Sequence, residues 1–176
     1  MRKTILAIPG STRKNSVNHL ILSFIATSFK DILDVKIFTG VASFPHFNPD
    51  ISDHDTHPDV LQFREEIMRA DGVIVCTPEY VFSLPGSLKN ALEWTVSTTA
   101  FLNKPAALIV ASGLGEKTLE SLLLIMTTLG ARIGPQSALL IQGARAKIKS
   151  HHEIEDRTVA ELRILVNGLI EIINTV

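Results

Sequence analysis

The sequence predicts a three-layer α/β fold, a parallel β-sheet covered by helices on both faces. Three observations predict it. Five short apolar runs alternate along the chain with longer segments of helical period, which is the pattern of successive βαβ units. The runs are continuous stretches of Ile, Val, Leu and Ala rather than apolar–polar alternations, as strands buried on both faces require. The chain has 176 residues, 45% of them hydrophobic and 20% charged, a size and composition that suit one globular domain with a large core.

The elements follow in order. Residues 3–10, KTILAIPG, read as the opening strand. Residues 16–30 read as a helix with Leu20, Ile21, Phe24 and Ile25 on one stripe. DVKIFTG, residues 34–40, is the second strand. FPHFNPDISDHDTH, residues 44–57, holds Pro45 and Pro49, precedes Pro58, and reads as a long surface loop of the kind that often carries function or an interface. A helix over 58–70 leads to the strand GVIVCTP, residues 72–78. The next helix, 85–98, opens on Pro85 after the candidate cap Ser83 and repeats Leu84, Leu88, Ala91, Leu92 and Thr95 at helical spacing. PAALIVAS, residues 105–112, is the fourth strand, and a helix over 116–129 carries Leu119, Leu122, Leu123 and Met126. SALLIQG, residues 137–143, is the fifth strand. The last helix, about 153–174, carries Val159, Leu162, Leu165, Val166, Leu169 and Ile173. No repeat, low-complexity tract or linker divides the chain, so residues 1–176 are expected to form a single domain.

Charge and cysteine content exclude several functions. A net charge of −1 and a pI near 6.6 give no electrostatic reason to bind nucleic acid or an anionic membrane. The single cysteine, Cys76, rules out an internal disulfide, and no Cys/His spacing resembles a zinc site. The start MRKTILAIPGS has too short an apolar stretch for a signal peptide, and no apolar run approaches the ~20 residues of a membrane helix. A soluble cytoplasmic protein is expected. The mean hydropathy of +0.25 is high for such a protein and points to a large two-sided core or to a buried subunit interface. Cys76 lies inside an apolar run and reads as a small core residue rather than a redox thiol. His46, His54 and His57 lie in the polar loop, His151 and His152 before the last helix, and His19 early in the first helix; none falls in a motif, and all read as surface histidines.

In an open parallel sheet, ligands bind beyond the carboxyl ends of the strands. The loops to inspect are therefore 9–18, 77–87 and 112–118. In the first, PGSTRKNSVN, free backbone N–H groups at a helix start are joined by the side chains of Ser11, Thr12, Ser16 and Asn18 and by the charge of Arg13. That set suits a phosphate monoester; an ordinary helix cap with turn residues is the other reading. The loop is neither a Walker loop, lacking a second glycine before Lys-Ser/Thr, nor a G-x-G-x-x-G fingerprint. The second loop, within TPEYVFSLPGSLKNALEW, is stiffened by Pro78 and Pro85 and offers Tyr80, Phe82 and Ser83, a mix that suits a planar heteroaromatic ligand. Phe82 reads equally well as a core residue. The third loop, ASGLGEKT, has Gly113-x-Gly115-x-x-Thr118, a partial dinucleotide pattern that is also an ordinary glycine turn.

Taken together, three pieces of sequence in the same order resemble the NADPH-dependent FMN reductase family of flavodoxin-like flavoproteins, which includes quinone, azo-dye and chromate reductases. They are GSTRKNSVN, matching Gly-Ser-x-Arg-x-x-Ser-x-Asn, FPHFNPD of the mid-chain loop, and TPEYVFSLPGSLKNALEW, matching Pro-Glu-Tyr-Asn-x-Ser-x-Pro-Gly-x-Leu-Lys-Asn-Ala-x-Asp-Trp. The resemblance covers nearly the whole chain and implies a five-stranded parallel sheet in the order 2-1-3-4-5. It implies that Ser11, Arg13, Ser16 and Asn18, with amides around Val17, hold the FMN phosphate. It implies that Pro78, Glu79, Tyr80, Val81 and Ser83 line the ribityl chain and flavin edge, and that Ser112 and Gly113 approach the ring. Two departures stand out. Val81 replaces the family's Asn, removing a side-chain hydrogen bond, and LGEKTLES follows Gly113 in place of paired glycines and an arginine.

The implied activity is hydride transfer from NADPH or NADH to bound FMN and onward to a small acceptor in ping-pong fashion, with no catalytic side chain, because the flavin does the chemistry. A one-electron carrier is the alternative, disfavoured by the near-neutral charge, and a flavin-binding regulatory module is another. Arg13, Lys14 and Lys117 are candidate partners for a 2′-phosphate. The resemblance also implies a homodimer or homotetramer assembled through helix 85–98 and its neighbours, where Trp94 lies off the apolar stripe.

Overall fold

The computed structural model describes residues 2–13 and 15–175. Its main sheet has five parallel strands: β1 (Lys3–Pro9), β2 (Leu33–Ile37), β3 (Gly72–Thr77), β4 (Pro105–Ser112) and β5 (Arg132–Gln142), in the order β2-β1-β3-β4-β5. All six residues of β3 are buried, as a central strand covered on both faces must be. Among the described residues, six α-helices connect and cover the strands: α1 (Val17–Ser28), α2 (Pro58–Arg69), α3 (Gly86–Glu93), α4 (Glu116–Thr128), the short α5 (Ala144–Lys147) and α6 (Asp156–Asn174). A core of Leu6, Ile8, Val73 and Val75 with Phe63, Ile67, Leu88, Leu122 and Met126 lies under α2, α3 and α4. A second core of Ile5, Ala7, Ile74 and Ile109 with Ile21, Ile25, Leu162, Leu165 and Leu169 lies under α1 and α6. Successive residues of β1 alternate between the two cores, so a strand that reads as one apolar run feeds both layers. The connection after β1 leads to β2 on one side and the connection after β3 leads to β4 on the other, so the winding reverses between β1 and β3 and opens a crevice outside their carboxyl ends.

Several elements differ from the sequence reading. β5 begins five residues early, at Arg132, because Gly134 and Pro135 sit on the edge strand, where the register shifts between Ala106 and Leu108; a proline costs no ladder hydrogen bond there. A hairpin, β6 (Ile148–Ser150) with β7 (Glu153–Ile154), precedes α6, which therefore starts at Asp156. Helix α3 stops at Glu93, and the Thr95 and Thr98 hydroxyls donate back to Leu92 O (2.7 Å) and Thr95 O (2.8 Å) in the turns that follow. Its cap position is Pro85, with no side-chain cap, so Ser83 does not cap it. His57 is exposed and also caps α2, its Nδ1 accepting from Asp59 N at 3.3 Å.

Trp94 corrects a second expectation. It is only 1% exposed and belongs to the core beneath α2 and α3, so it is not a candidate for a subunit face. Its Nε1 donates to Pro45 O (2.8 Å), its ring meets Phe47 edge-on at 5.3 Å, and buried Arg64 donates from Nε to Trp94 O at 2.7 Å. Asn90 completes the clasp: its amide donates to Pro45 O (2.9 Å) and accepts from Phe47 N (2.8 Å). The long surface loop, exposed over most of 45–57, is thus tied to Asn90 and Trp94 at Pro45 and Phe47, and Phe44 is buried.

Candidate functional site

The crevice holds a cavity of about 510 Å³ bordered by four strand-end loops. The β1 ladder extends one residue beyond the strand, Gly10 N donating to Cys76 O at 2.8 Å. Glycine is required there: a Cβ would overlap the Thr77 hydroxyl and approach Leu88 Cδ2 to 2.8 Å. The chain then turns through Ser11 and Arg13 into α1. Ser16 is the N-cap, in extended conformation, its Oγ accepting from His19 N at 3.1 Å. No acidic residue occupies the first turn of α1, so its positive end is uncompensated. Ser11 is also buried, its Oγ accepting from Arg13 N at 3.3 Å. Both hydroxyls act as acceptors in these bonds and keep their protons to donate. Asn18 is 2% exposed, and its amide Nδ2 is directed at Cys76 Sγ (3.6 Å) and Ala111 O (3.5 Å), tying the start of α1 to β3 and β4.

On the second loop, Pro78, Glu79 and Tyr80 line the cavity. The Glu79 carboxylate accepts from Thr118 N (3.3 Å) and Thr118 Oγ1 (3.1 Å). Helix α4 begins after Gly115, which has no side chain to cap it, so Glu79 caps it from the neighbouring loop. The chain then reverses. Tyr80 N donates to Ser83 O (2.9 Å) and Ser83 N to Tyr80 O (3.0 Å), with Val81 at φ 51 and Phe82 at φ 56. This is a two-residue turn of type I′ sign built from a β-branched and an aromatic residue, where Asn-Gly is the usual choice. Val81 is 95% exposed and Phe82 68%. Val81 and Ser83 are therefore not among the residues lining the cavity, and Phe82 is not a core residue.

The third and fourth loops close the far wall. Ser112 and Gly113 line it, joined by Ala111. After β5, Gly143 adopts φ 62, a left-handed conformation that favours glycine, and donates from N to Gly113 O at 3.1 Å. Ala144, Arg145 and Ala146 follow into the cavity wall.

Ten sequence candidates thus converge on one cavity: Ser11, Arg13, Ser16, Val17, Asn18, Pro78, Glu79, Tyr80, Ser112 and Gly113. Of the candidates for a 2′-phosphate, Arg13 lies in the lining, Lys14 lies outside the described residues, and Lys117 is outside the lining, paired to Glu120 at 2.8 Å. That hydrogen bond and the Glu120 charge raise the Lys117 pKa. Sequence reasoning missed Asn15, Ala111 and residues 143–146. The signal for the last was present, since Gly143 ends a predicted strand and obeys the same strand-end rule as the other three loops.

Among the described residues, the charged lining groups are Arg13, Arg145 and Glu79, and Glu79 is already engaged by Thr118. With the free end of α1 and two hydroxyls, the first loop can hold an anion. Burial pushes the Cys76 thiol up to about 12, opposed by its bond from Asn18, so it stays protonated and unreactive. Among the described residues, no group of His, Cys, Asp and Glu could hold a metal ion, and no helix is long and apolar enough to cross a membrane.

The family model of NADPH-dependent FMN reductase matches residues 3–146. The NADH:(hydroxy)cinnamate reductase subunit CrdA of Vibrio ruber is 32% identical over 164 residues, 89% of this chain and 80% of its own. A quinone reductase of Escherichia coli K12 is 32% identical over 91 residues, a match that spans 51% of this chain and about half, 48%, of that protein. Among solved structures, the flavoenzyme NAD(P)H:(acceptor) oxidoreductase FerB of Paracoccus denitrificans superposes with a TM-score of 0.81 at 25% identity, covering 98% of both chains. With the flavodoxin-like strand order and the strand-end loops in place, the chain belongs to the NADPH-dependent FMN reductase family.

Proposed function

We propose that this chain is an FMN-dependent NAD(P)H oxidoreductase that reduces a small acceptor, a quinone, azo compound, free flavin or metal oxyanion, by a ping-pong mechanism. The observation that carries the proposal is the convergence of a phosphate-type donor loop and three further strand-end loops on one cavity of about 510 Å³, within the range of cofactor sites. The residues present fit FMN. The positive end of α1 with the Ser11 and Ser16 hydroxyls and Arg13 suits its phosphate, and Pro78 and Tyr80 offer a rigid, partly aromatic border for its ring. When bound, FMN supplies the redox chemistry, taking hydride equivalents from NAD(P)H and passing electrons on.

The chain's own part is to bind and orient. Ser11, Ser16, Arg13 and the amide of Val17 anchor the phosphate, while Asn18 holds the start of α1 against β3 and β4. Pro78, Glu79, Tyr80, Ser112 and Gly113 border the ring, largely through main-chain groups, since the Glu79 carboxylate is occupied by Thr118. Donor and acceptor would occupy this one cavity in turn, which is the basis for ping-pong kinetics. The names of the similar proteins, a quinone reductase, an NADPH azoreductase and an NAD(P)H-dependent FMN reductase, support acceptors of this breadth. We further propose one flavin-binding domain over residues 1–176, located in the cytoplasm and working as a homodimer or homotetramer; a monomeric mass by light scattering at micromolar concentration contradicts the assembly.

The test is to load the purified protein with FMN and measure NADPH and NADH oxidation with benzoquinone at several concentrations of both substrates. Parallel double-reciprocal lines support the mechanism. Protein that neither retains FMN nor oxidises NAD(P)H overturns the function.

A further inference from the structure

The cavity has a cation that no motif of the sequence announces. After β5 the chain does not enter α6 directly. It turns at Gly143, passes through α5 and continues as β6, whose Ile148 packs in the same core as Ile21, Leu22 and Ile25 of α1. Downstream, His151, His152 and Ile154 share a cleft with Phe24, Thr27 and Ser28 at the other end of α1. The segment from 143 to 154 therefore runs along α1 from its first turn to its last. Arg145 stands at the beginning of that path, just after β5, and lines the same cavity as Ser11, Arg13 and Ser16.

We infer that Arg145 is a second cationic anchor for the FMN phosphate, facing the α1 loop from the β5 side; this rests on the FMN reading above. A phosphate monoester carries about −1.5 to −2 charges at neutral pH, more than the single guanidinium of Arg13 balances. Among the described residues, the lining carboxylate, Glu79, is bonded to Thr118 in the first turn of α4. Arginine forks match phosphate oxygens two at a time and are favoured for this role. Gly143 supplies the left-handed turn that directs the chain into the wall, and a Cβ at Gly143 or Gly113 would meet nothing within 4 Å, so this end of the cavity has room for a bulky group.

The experiment measures dissociation constants of FMN and riboflavin for apoprotein by quenching of flavin fluorescence, in wild type, Arg145→Gln and Arg145→Lys. Riboflavin lacks the phosphate and reports contacts to the ring and ribityl chain alone. The expected result is that R145Q weakens FMN about tenfold and flattens its salt dependence, while riboflavin changes less than about twofold. R145K falls between, keeping charge without the fork. Arg145 is exposed, so the apo variants melt with the wild type. Equal loss of FMN and riboflavin, an unchanged FMN constant, or an effect confined to the KM for NADPH overturns the assignment of Arg145 and leaves the FMN reading standing. Wild-type protein that binds FMN no better than riboflavin removes the phosphate anchor itself, and this inference with it.

Discussion

The turn at Val81 and Phe82 allows a sharp prediction, because structure and sequence disagree there over what a residue should do. Val81 sits at φ 51, in the left-handed region, where a β-branched side chain is strained by roughly 1–2 kcal/mol. Asn tolerates this conformation far better because its short side chain bonds locally. Val81→Asn removes an isopropyl group that is 95% exposed, so almost no buried apolar area is lost. The backbone bonds between Tyr80 and Ser83, 2.9 and 3.0 Å, are untouched. The variant should therefore gain about 1 kcal/mol, a rise in Tm of about 2–4 °C for a chain of this size. Val81→Gly should gain as much, and Val81→Pro, which cannot reach a positive φ, should lose stability. Thermal melts of apoprotein at low micromolar concentration read all three. A V81N protein less stable than wild type refutes the reasoning, because it means that the Val81 side chain makes contacts its exposure denies.

Three further predictions rest on named contacts. Glu79→Ala strips the cap from α4 and leaves the buried Thr118 hydroxyl and its N–H without their acceptor, at a cost of about 2 kcal/mol in denaturant unfolding; an unchanged midpoint contradicts the capping role. Trp94→Phe removes the donor to Pro45 O and should cost about 1–2 kcal/mol, with faster proteolysis near residues 45–47 as the local readout. Cys76 should resist iodoacetamide in the native state. Its folded pKa, about 12, lies above the ordinary 9.0, so the stabilisation of the protonated thiol is fully present below pH 9 and is lost as pH rises towards 12. Across that window the wild type should lose about 1.4 kcal/mol per pH unit relative to Cys76→Ala, and parallel stability curves for the two proteins refute the shift.

Much of this architecture was legible because burial dictates composition. β3 is apolar at nearly every position since both its faces are covered, and Ser16 marks the start of α1 because a helix end needs a side-chain acceptor. The residues that escaped did so for physical reasons. The β6–β7 hairpin is too short to show a period. Gly134 and Pro135 look like a break, yet an edge strand with a register shift accommodates them. Trp94 looked like a surface residue because it lies off the stripe of its own helix, but the loop at Pro45 and Phe47 folds over it, a contact between residues 49 positions apart that no local pattern encodes. The reversal at Val81 and Phe82 goes against the preference of both residues, so no propensity predicts it. Of the site, the β1–α1 loop was readable because its donors are contiguous. Arg145 was not, because only the path of the chain from β5 along α1 brings it there.

The phosphorus of bound FMN, followed by ³¹P NMR from pH 5 to 8, offers the most direct test. Free FMN titrates with a pKa of about 6 in this range. A phosphate held as the dianion between the start of α1, Arg13 and Arg145 should give a single shifted resonance that does not move with pH. A bound resonance that titrates as free FMN does would mean that the phosphate stays in solvent, and would contradict an anion site at the β1–α1 loop.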